Sequence, residues 1–418
     1  MKVLVIGNGG REHAILWKMK QSGKVETLFI APGNAGMENL ATLVPLQVSQ
    51  GKELAQFAKD QGVDLTIVGP EAPLVEGIVD IFKSEGLRVI GPHGEAAQLE
   101  GSKAFAKDFM TRHEIPTAAY EEFTDVDAAI AAVDRFGFPT VIKADGLAAG
   151  KGVIIAETKE DAITALKDMM VDKKFDDAGD KIVLEEFLTG IEASVLCFVD
   201  EDTIVPMESA QDYKRAYDGD MGLNTGGMGT YSPSLLFNDE IKNIVRDEIL
   251  TPFHEGLKKD GLTYRGIIFI GIMIKNTDVK VIEFNVRFGD PETQSIMARL
   301  NTDLIDIFMA MSENKLKELD IQWSNQHAVC VMMASGGYPD AYEKGKAIIG
   351  ITEDMLVFHS GTKRVGAELQ TNGGRVLGVM GVADSLELAR AKAYENVAKI
   401  QFEGAHFRTD IGTIVKSK

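Results

Sequence analysis

Cysteine is almost missing from this chain: only Cys197 and Cys330 occur among 418 residues, both inside apolar stretches. Two distant cysteines make neither a disulfide framework nor a zinc site, and both read as small buried apolar residues. Basic charge is short as well, with 44 Lys plus Arg against 63 Asp plus Glu and a formal net charge of −19. Such a surface repels a phosphate backbone on average, so no nucleic-acid partner is expected. A small phosphorylated ligand in a local basic pocket stays open. Long hydrophobic runs are absent too. The longest strongly apolar stretch, residues 266–274, spans nine residues between Arg265 and Lys275, far short of a membrane span. Met1-Lys2 leads directly into Val3-Leu4-Val5-Ile6, a run too short for a signal-peptide core. No membrane association and a cytoplasmic location are therefore expected.

What is present is a globular composition, 45% hydrophobic and 26% charged, which argues against disorder. The length exceeds one ordinary core, so roughly two to four domains are expected. Over the first hundred residues, short apolar runs at 3–6, 28–30, 65–68 and 88–90 alternate with helical patterns and each ends at glycine or proline. That is a βαβ pattern and predicts a small doubly wound domain. Its ligands should gather at the strand carboxyl ends, where Gly7-Asn8-Gly9-Gly10 and Gly69-Pro70-Glu71-Ala72-Pro73 fall.

From about Ser102 the pattern turns α+β. Thr124-Asp125-Val126-Asp127 and Thr158-Lys159-Glu160-Asp161 both look like capping boxes opening helices. Apolar strands are expected at 140–144 and 153–156, joined by a glycine-rich loop, and at 182–187. Two helices on one small sheet would make a compact lid. Runs at 267–274 and 280–286 predict a larger antiparallel platform. After a polar stretch at 312–325, strands are expected at 327–334, 346–351 and 375–382, followed by a helix near 386–400. No repeat, low-complexity segment or long Ser/Gly linker is visible, so the domains are expected to pack together.

Three segments carry chemistry. In Val141-Ile142-Lys143-Ala144-Asp145-Gly146-Leu147-Ala148-Ala149-Gly150-Lys151-Gly152-Val153, a strand lysine precedes three glycines and a second lysine. Glycines let backbone N–H groups approach phosphate oxygens while lysines neutralise charge, which suits a polyphosphate. It is not a Walker A loop, because only three residues separate Gly146 from Gly150 and Gly152 holds the Ser/Thr position. The plainer alternative is a hairpin turn with solvated lysines. Glu185-Glu186-Phe187-Leu188-Thr189-Gly190-Ile191-Glu192 follows an apolar strand. Glu186, the Leu188 backbone and Glu192 suit adenine and ribose, although a glutamate pair there also fits a solvated edge.

The sharpest constellation is Val281-Ile282-Glu283-Phe284-Asn285-Val286-Arg287-Phe288-Gly289-Asp290-Pro291-Glu292-Thr293. On a regular strand Glu283, Asn285 and Arg287 share one face and Ile282, Phe284 and Val286 the other. A carboxylate and an amide oxygen two residues apart are hard ligands for magnesium, and Arg287 next along suits a phosphoryl group or carboxylate. Asp212-Tyr213-Lys214-Arg215 and Asn224-Thr225-Gly226-Gly227-Met228-Gly229-Thr230-Tyr231 add a charged, glycine-rich stretch that also reads as a long surface loop.

At these segments the chain resembles the phosphoribosylamine–glycine ligase family of the ATP-grasp superfamily, over nearly its full length. The likeness includes Gly7-Asn8-Gly9-Gly10-Arg11-Glu12-His13-Ala14, Gly69-Pro70-Glu71-Ala72-Pro73-Leu74-Val75, the Lys143 and Gln211 stretches and, most specifically, Arg287-Phe288-Gly289-Asp290-Pro291-Glu292-Thr293-Gln294. The resemblance implies an α/β and α+β multidomain chain: a Rossmann-like domain at 1–101, an ATP-grasp domain at 102–323 with a mobile lid at about 118–190, and a small α+β domain at 324–418. It implies that Lys103, Lys143, Gly146, Gly150, Lys151 and Gly152 meet ATP phosphates, with Glu185, Glu186, Leu188 and Glu192 at adenosine. Glu283 and Asn285 would hold Mg2+, with Mn2+ as the alternative. Gly9, Gly10, Glu71, Asp212, Lys214, Arg287, Gly289, Asp290 and Pro291 would face the acceptor substrates, with Lys143, Arg287 and Asp290 nearest the chemistry. The strand 267–274 carries no carboxylate where many ATP-grasp enzymes place another metal ligand, which leaves the location of further ligands open.

The implied reaction is ATP + glycine + 5-phosphoribosylamine → ADP + phosphate + glycinamide ribonucleotide. A stand-alone ligase, monomeric or weakly dimeric, is expected, with these small molecules as partners. A nicotinamide-dependent oxidoreductase is the first rival, but the dinucleotide fingerprint wants glycine where Glu12 stands and an acidic residue where the chain has Ala31-Pro32-Gly33. Another purine-pathway ATP-grasp ligase would share the nucleotide residues and differ in the acceptor loops. A non-enzymatic nucleotide-binding module would not need the Glu283-Asn285-Arg287 face.

Overall fold

The computed structural model describes residues 1–148 and 152–413. Among them no helix is long and apolar enough to cross a membrane. Lys2–Gly7 is the centre of a five-stranded parallel sheet, because its buried Val3-Leu4-Val5-Ile6 run has partners on both sides. Thr27–Pro32 and then Thr42–Leu43 pair on one side, Leu65–Val68 and then Val89–Ile90 on the other. The order of connection reverses between Lys2–Gly7 and Leu65–Val68, so a crevice opens beyond their carboxyl ends. Thr42–Leu43 was not expected; two half-exposed residues at a sheet edge leave no apolar run to read.

The lid is a four-stranded antiparallel sheet in the order Tyr120–Phe123, Ile182–Glu186, Thr140–Ala144, Val153–Ala156. Helices Val126–Ala132 and Lys159–Met170 cover one face with alanine, leucine and methionine. Thr158 caps the second helix as expected, accepting from the Asp161 N–H at 3.2 Å. The first helix starts one residue later than its box suggested, since Asp125 rather than Thr124 accepts the Ala128 N–H at 2.8 Å.

The platform is another antiparallel sheet, ordered Ile204–Pro206, Ile191–Val199, Gly266–Lys275, Asp278–Asn285. Its register shifts once: Gly271 pairs with Glu283 but Ile272 pairs with Val281, leaving Ile282 as an extra residue. This β-bulge breaks the strict alternation expected for the strand. Val281, Phe284 and Val286 enter the core, whereas Ile282 joins Glu283 on the open side instead of facing away from it.

The remaining large sheet draws on two parts of the chain, in the order Gln211–Asp212, Gly229–Ser232, His327–Ala334, Arg375–Ala383, Val357–His359, all antiparallel. Helix Leu386–Lys399 packs on it through Leu386, Ala389, Ala393 and Val397. The strand expected at 346–351 does not form; only Ala347 and Ile349 make isolated bridges, to Gln370 and Gln401. The pairing goes instead to a hairpin of Thr362–Val365 and Glu368–Thr371. Cys197 and Cys330 are buried and unpaired.

Candidate active site

A cleft of about 480 Å³ lies where lid, platform and first domain converge. At its nucleotide-suited end Lys143 projects from the lid strand Thr140–Ala144, and its Nζ lies 2.9 Å from Glu185 Oε2. Lys107 reaches the same oxygen at 3.1 Å, so one buried carboxylate separates two ammonium groups. Burial pushes the Lys107 ammonium down to about 8 against the pull of Glu185. The other Glu185 oxygen, Oε1, is buried without a hydrogen-bond partner among the described residues. Glu186, Leu188, Glu192 and Lys103 complete this end.

Lys103 opens the helix Lys103–Arg112, capped by Ser102, whose Oγ accepts the Phe105 N–H at 3.1 Å. Asp145 links that helix to the lid, accepting the Ala104 N–H at 2.7 Å. Gly152 lines the cleft, while Gly146 packs against Ala178. Gly150 and Lys151 lie outside the described residues.

Along the floor, Glu283, Asn285 and Arg287 follow one another on the open side of the platform strand. Glu283 is partly buried, yet Lys214, Lys143 and Lys103 overcome the burial penalty and hold its carboxyl below the usual range. Asn285 offers Nδ2 to Glu283 at 3.5 Å and accepts from Arg287 at 3.2 Å. Arg287 also reaches Glu71 at 3.0 Å and Glu100 at 3.1 Å. Glu100 accepts the Val286 N–H at 2.8 Å, and burial pushes its carboxyl up to about 7.

The acceptor-suited end is built around Lys214, whose Nζ lies 2.6 Å from Glu192 Oε1. Burial opposes its charge, but Glu192, Glu283 and Asp212 raise its pKa above the ordinary lysine value. Burial and mutual repulsion push the Asp212 carboxyl up, and burial does the same for Glu292, which accepts from Ser194 Oγ at 3.1 Å. Asp290 stays ionised against burial because Arg375 and Arg11 are near; the Arg375 guanidinium donates to the Asp290 carbonyl at 2.6 Å. Gly227, at φ +112°, lets the loop pass so close that a Cβ there would lie 2.4 Å from Pro291 Cδ and 2.8 Å from Asp212 Oδ1.

Of the expected residues, Gly9, Gly10, Gly146, Gly289 and Pro291 stand behind the cleft wall rather than in its lining. Gly9 passes close to Asp290, and Gly10 packs against Ser360 and Gln294. In the crevice of the first sheet Glu12 accepts the Gly9 N–H at 2.7 Å, and a Cβ at Gly69 would collide with it at 2.0 Å. The chain's own carboxylate therefore occupies the crevice beside the glycine turn, where its negative charge disfavours a dinucleotide phosphate and argues against the oxidoreductase reading.

Lys107, Glu100, Arg11, Arg375 and Glu292 line the cleft without having been singled out. Lys107 had a signal, standing four residues after Lys103 on one helix face. Arg375 had none, because it arrives from a strand far along the chain.

A lid sheet and a platform sheet facing each other across a cleft with paired lysines define an ATP-grasp enzyme. The same architecture recurs in the biotin carboxylase domain of Hydrogenobacter thermophilus 2-oxoglutarate carboxylase, solved with MgADP and bicarbonate, at TM-score 0.75 and 16% identity over 97% of this chain and 91% of that one. Family models match in succession: the phosphoribosylglycinamide synthetase N domain at residues 1–100, its ATP-grasp (A) domain at 101–293 and its C domain at 328–414. The chain is 48% identical to the phosphoribosylamine–glycine ligase of Vibrio parahaemolyticus, covering 99% of this chain and 98% of that protein. It is 50% identical to that of Halalkalibacterium halodurans, covering 99% and 97%. A crystal structure of the Thermotoga maritima phosphoribosylamine–glycine ligase superposes with TM-score 0.88 at 35% identity, covering 98% of this chain and 100% of that one. The chain belongs to the phosphoribosylglycinamide synthetase family.

Proposed function

We propose that this chain joins the carboxylate of glycine to the amine of 5-phosphoribosylamine, giving glycinamide ribonucleotide, ADP and phosphate in purine biosynthesis. The observation that carries this reading is near-half identity from end to end with phosphoribosylamine–glycine ligases. The cleft agrees with it, because lysines suited to a polyphosphate and a charged acceptor end lie in one enclosure.

The chemistry follows from the leaving group. A carboxylate is a poor electrophile because oxide would have to leave; as glycyl phosphate it loses phosphate instead, and the sugar amine attacks its carbonyl. Lys143, Lys103 and the loop 146–152, including Gly146, Gly150, Lys151 and Gly152, would hold the ATP phosphates. Glu185, Glu186, Leu188 and Glu192 would hold adenosine. Arg287 would stabilise charge on the transferring phosphoryl group, with Lys143 opposite. Asp212, Lys214, Asp290 and Glu71 would receive the acceptor substrates, with Gly9, Gly10, Gly289 and Pro291 shaping the wall behind them. Closure of the lid would keep water from the acyl phosphate.

A partly buried carboxylate held ionised next to the Asn285 side chain fits a hard divalent cation once that amide, whose nitrogen faces Glu283 here, turns its oxygen inward, so Glu283 and Asn285 would hold Mg2+ or, alternatively, Mn2+. When bound, the ion supplies charge neutralisation at the phosphates. We divide the chain at 1–101, 102–323 (lid about 118–190) and 324–418, with Gln211–Asp212 and Gly229–Ser232 crossing into the last sheet. Two free, buried thiols agree with the reducing cytoplasm.

The test is ADP release with glycine and freshly generated phosphoribosylamine, each omitted in turn. Dependence on both is expected. Turnover indifferent to either omission overturns the substrate assignment.

A further inference from the structure

Residues 215–224 form a two-stranded hairpin, Arg215–Tyr217 against Met221–Asn224, with an irregular register. Its apolar side chains anchor it weakly: Ala216 alone is buried, while Tyr217, Met221 and Leu223 are all more than half exposed, Tyr217 with its ring edge-on to His406 at 5.2 Å. A two-stranded hairpin with so little packed face is marginal in water, so its position depends on whatever else holds it.

That hold comes from residues 406–413, nearly two hundred positions later. His406 Nε2 donates to the Ala216 carbonyl at 2.8 Å, which fixes that nitrogen as the protonated one. The Arg408 guanidinium donates to the Arg215 carbonyl at 3.1 Å and to Asp220 at 2.9 Å. Thr409 N–H donates to Asp218 at 2.7 Å, and Gly219 N–H to Asp410 at 2.9 Å. Tyr213, just before the hairpin, donates its hydroxyl to the Thr413 carbonyl at 2.5 Å, and its ring lies 4.9 Å from the Arg408 guanidinium. Arg408 is 1% exposed and is the largest fully buried side chain among the described residues.

The base of this hairpin is the acceptor end of the cleft. Lys214 immediately precedes Arg215, and its carbonyl accepts from both Thr225 N–H and Thr225 Oγ at 2.8 Å. Asn224, Thr225 and Gly226 line the cleft, whereas Arg408 does not touch it. A shift of the Arg215 carbonyl therefore displaces Lys214 relative to Glu192 and moves the Asn224 to Gly226 wall. The nucleotide end rests on other elements, the lid sheet and the helix Lys103–Arg112.

We propose that Arg408 is a positioning residue for the acceptor half of the site: through the Arg215 carbonyl and the Asp220 carboxylate it fixes the hairpin, and through the hairpin it sets the placement of Lys214 and the Asn224 to Gly226 wall. This rests on the substrate reading above, and its effect falls first on glycine and phosphoribosylamine, reaching ATP only through the Glu192 carboxylate that Lys214 pairs.

The experiment compares wild type with Arg408→Ala, Arg408→Lys and the double variant Asp218→Ala/Asp220→Asn. Steady-state KM values are measured for ATP, glycine and phosphoribosylamine, alongside amide hydrogen exchange of residues 213–227. In Arg408→Ala, KM for at least one acceptor substrate is expected to rise about tenfold or more, with KM for ATP rising several-fold less than that. Exchange should speed up at 213–227 and remain slow in the lid sheet. Arg408→Lys, which keeps the charge but loses the fork, should recover part of both effects. Unchanged acceptor KM and unchanged exchange overturn the proposal. If Arg408→Ala exchanges fast everywhere, the double variant decides, since it loosens only the hairpin side: raised acceptor KM with an intact lid supports the proposal, and wild-type values refute it. If the wild type turns over nothing with these substrates, the substrate reading has failed, and the exchange result at 213–227 alone then decides whether Arg408 holds the hairpin.

Discussion

Arg287 and Glu71 meet at 3.0 Å, joining the crevice of the parallel sheet to the end of the platform strand. The same guanidinium reaches Glu100, Asn285 and the Phe288 carbonyl, so one planar fork serves four partners. A lysine ammonium is a single point and cannot serve them together. Arg287→Lys is therefore expected to lower kcat on the order of a hundredfold while KM for ATP moves little. Arg287→Ala should also cost about 3 kcal/mol of stability in urea unfolding above about pH 7, because the partly buried Glu71 and the then ionised, buried Glu100 lose their cation. Near wild-type kcat in the lysine variant would remove Arg287 from the chemistry.

Glu283 is the test of the metal reading. Its carboxylate is ionised despite burial because three lysines surround it. Glu283→Gln keeps the shape and removes the charge, so turnover should fall strongly at limiting magnesium and recover in part at high magnesium. A magnesium titration superimposable on wild type would refute the role.

Much of this arrangement was legible before any coordinates. Buried parallel strands announce themselves as apolar runs ending at glycine, as at Val3-Leu4-Val5-Ile6, and Thr158 carried its cap in the sequence. What escaped has a physical reason in each case. Tyr120–Phe123 is an edge strand reading Tyr-Glu-Glu-Phe, with no apolar run to betray it. The bulge at Ile282 is a pairing property, set by the neighbour Gly266–Lys275 rather than by local residue type. Residues 346–351 look like a strand, yet Ala347 and Ile349 make only isolated bridges, to Gln370 and Gln401, while Glu368–Thr371 pairs with Thr362–Val365. Glu283 and Arg287 were readable from their spacing, whereas Arg375 and Glu100 become site residues only when distant elements converge.

Lys143 shares Glu185 Oε2 with Lys107, so its removal leaves a buried carboxylate with one cation instead of two. If Lys143 faces the ATP phosphates as proposed, Lys143→Ala is expected to raise KM for ATP about tenfold or to lower kcat by a comparable factor. Nucleotide binding by calorimetry separates the two effects. Kinetics and binding equal to wild type would reject its placement at the phosphates.

Glu100 gives the chain a pH dependence whose sign is fixed by burial. Its carboxyl rises from the ordinary 4.5 to about 7, with burial the largest cause; Arg287 and the Val286 N–H pull the other way, and Glu71 and Glu283 add to the rise. Between these values the folded chain keeps a proton that the unfolded chain has released. Its contribution is therefore fully present below about pH 4.5 and is lost as pH rises through about 7, by about 3 kcal/mol. Glu71 works in the opposite sense at lower pH: Arg287 and Arg11 overcome its burial and depress its pKa, so its contribution is lost only on further acidification. Glu100→Gln keeps an acceptor for Arg287 and Val286 but removes the titration. Urea unfolding of wild type and variant across pH 4.5 to 7 should thus show wild type losing ground steadily relative to the variant. Parallel stability curves over that interval would show that Glu100 does not hold the proton, and that its carboxylate stays ionised beside Arg287 throughout.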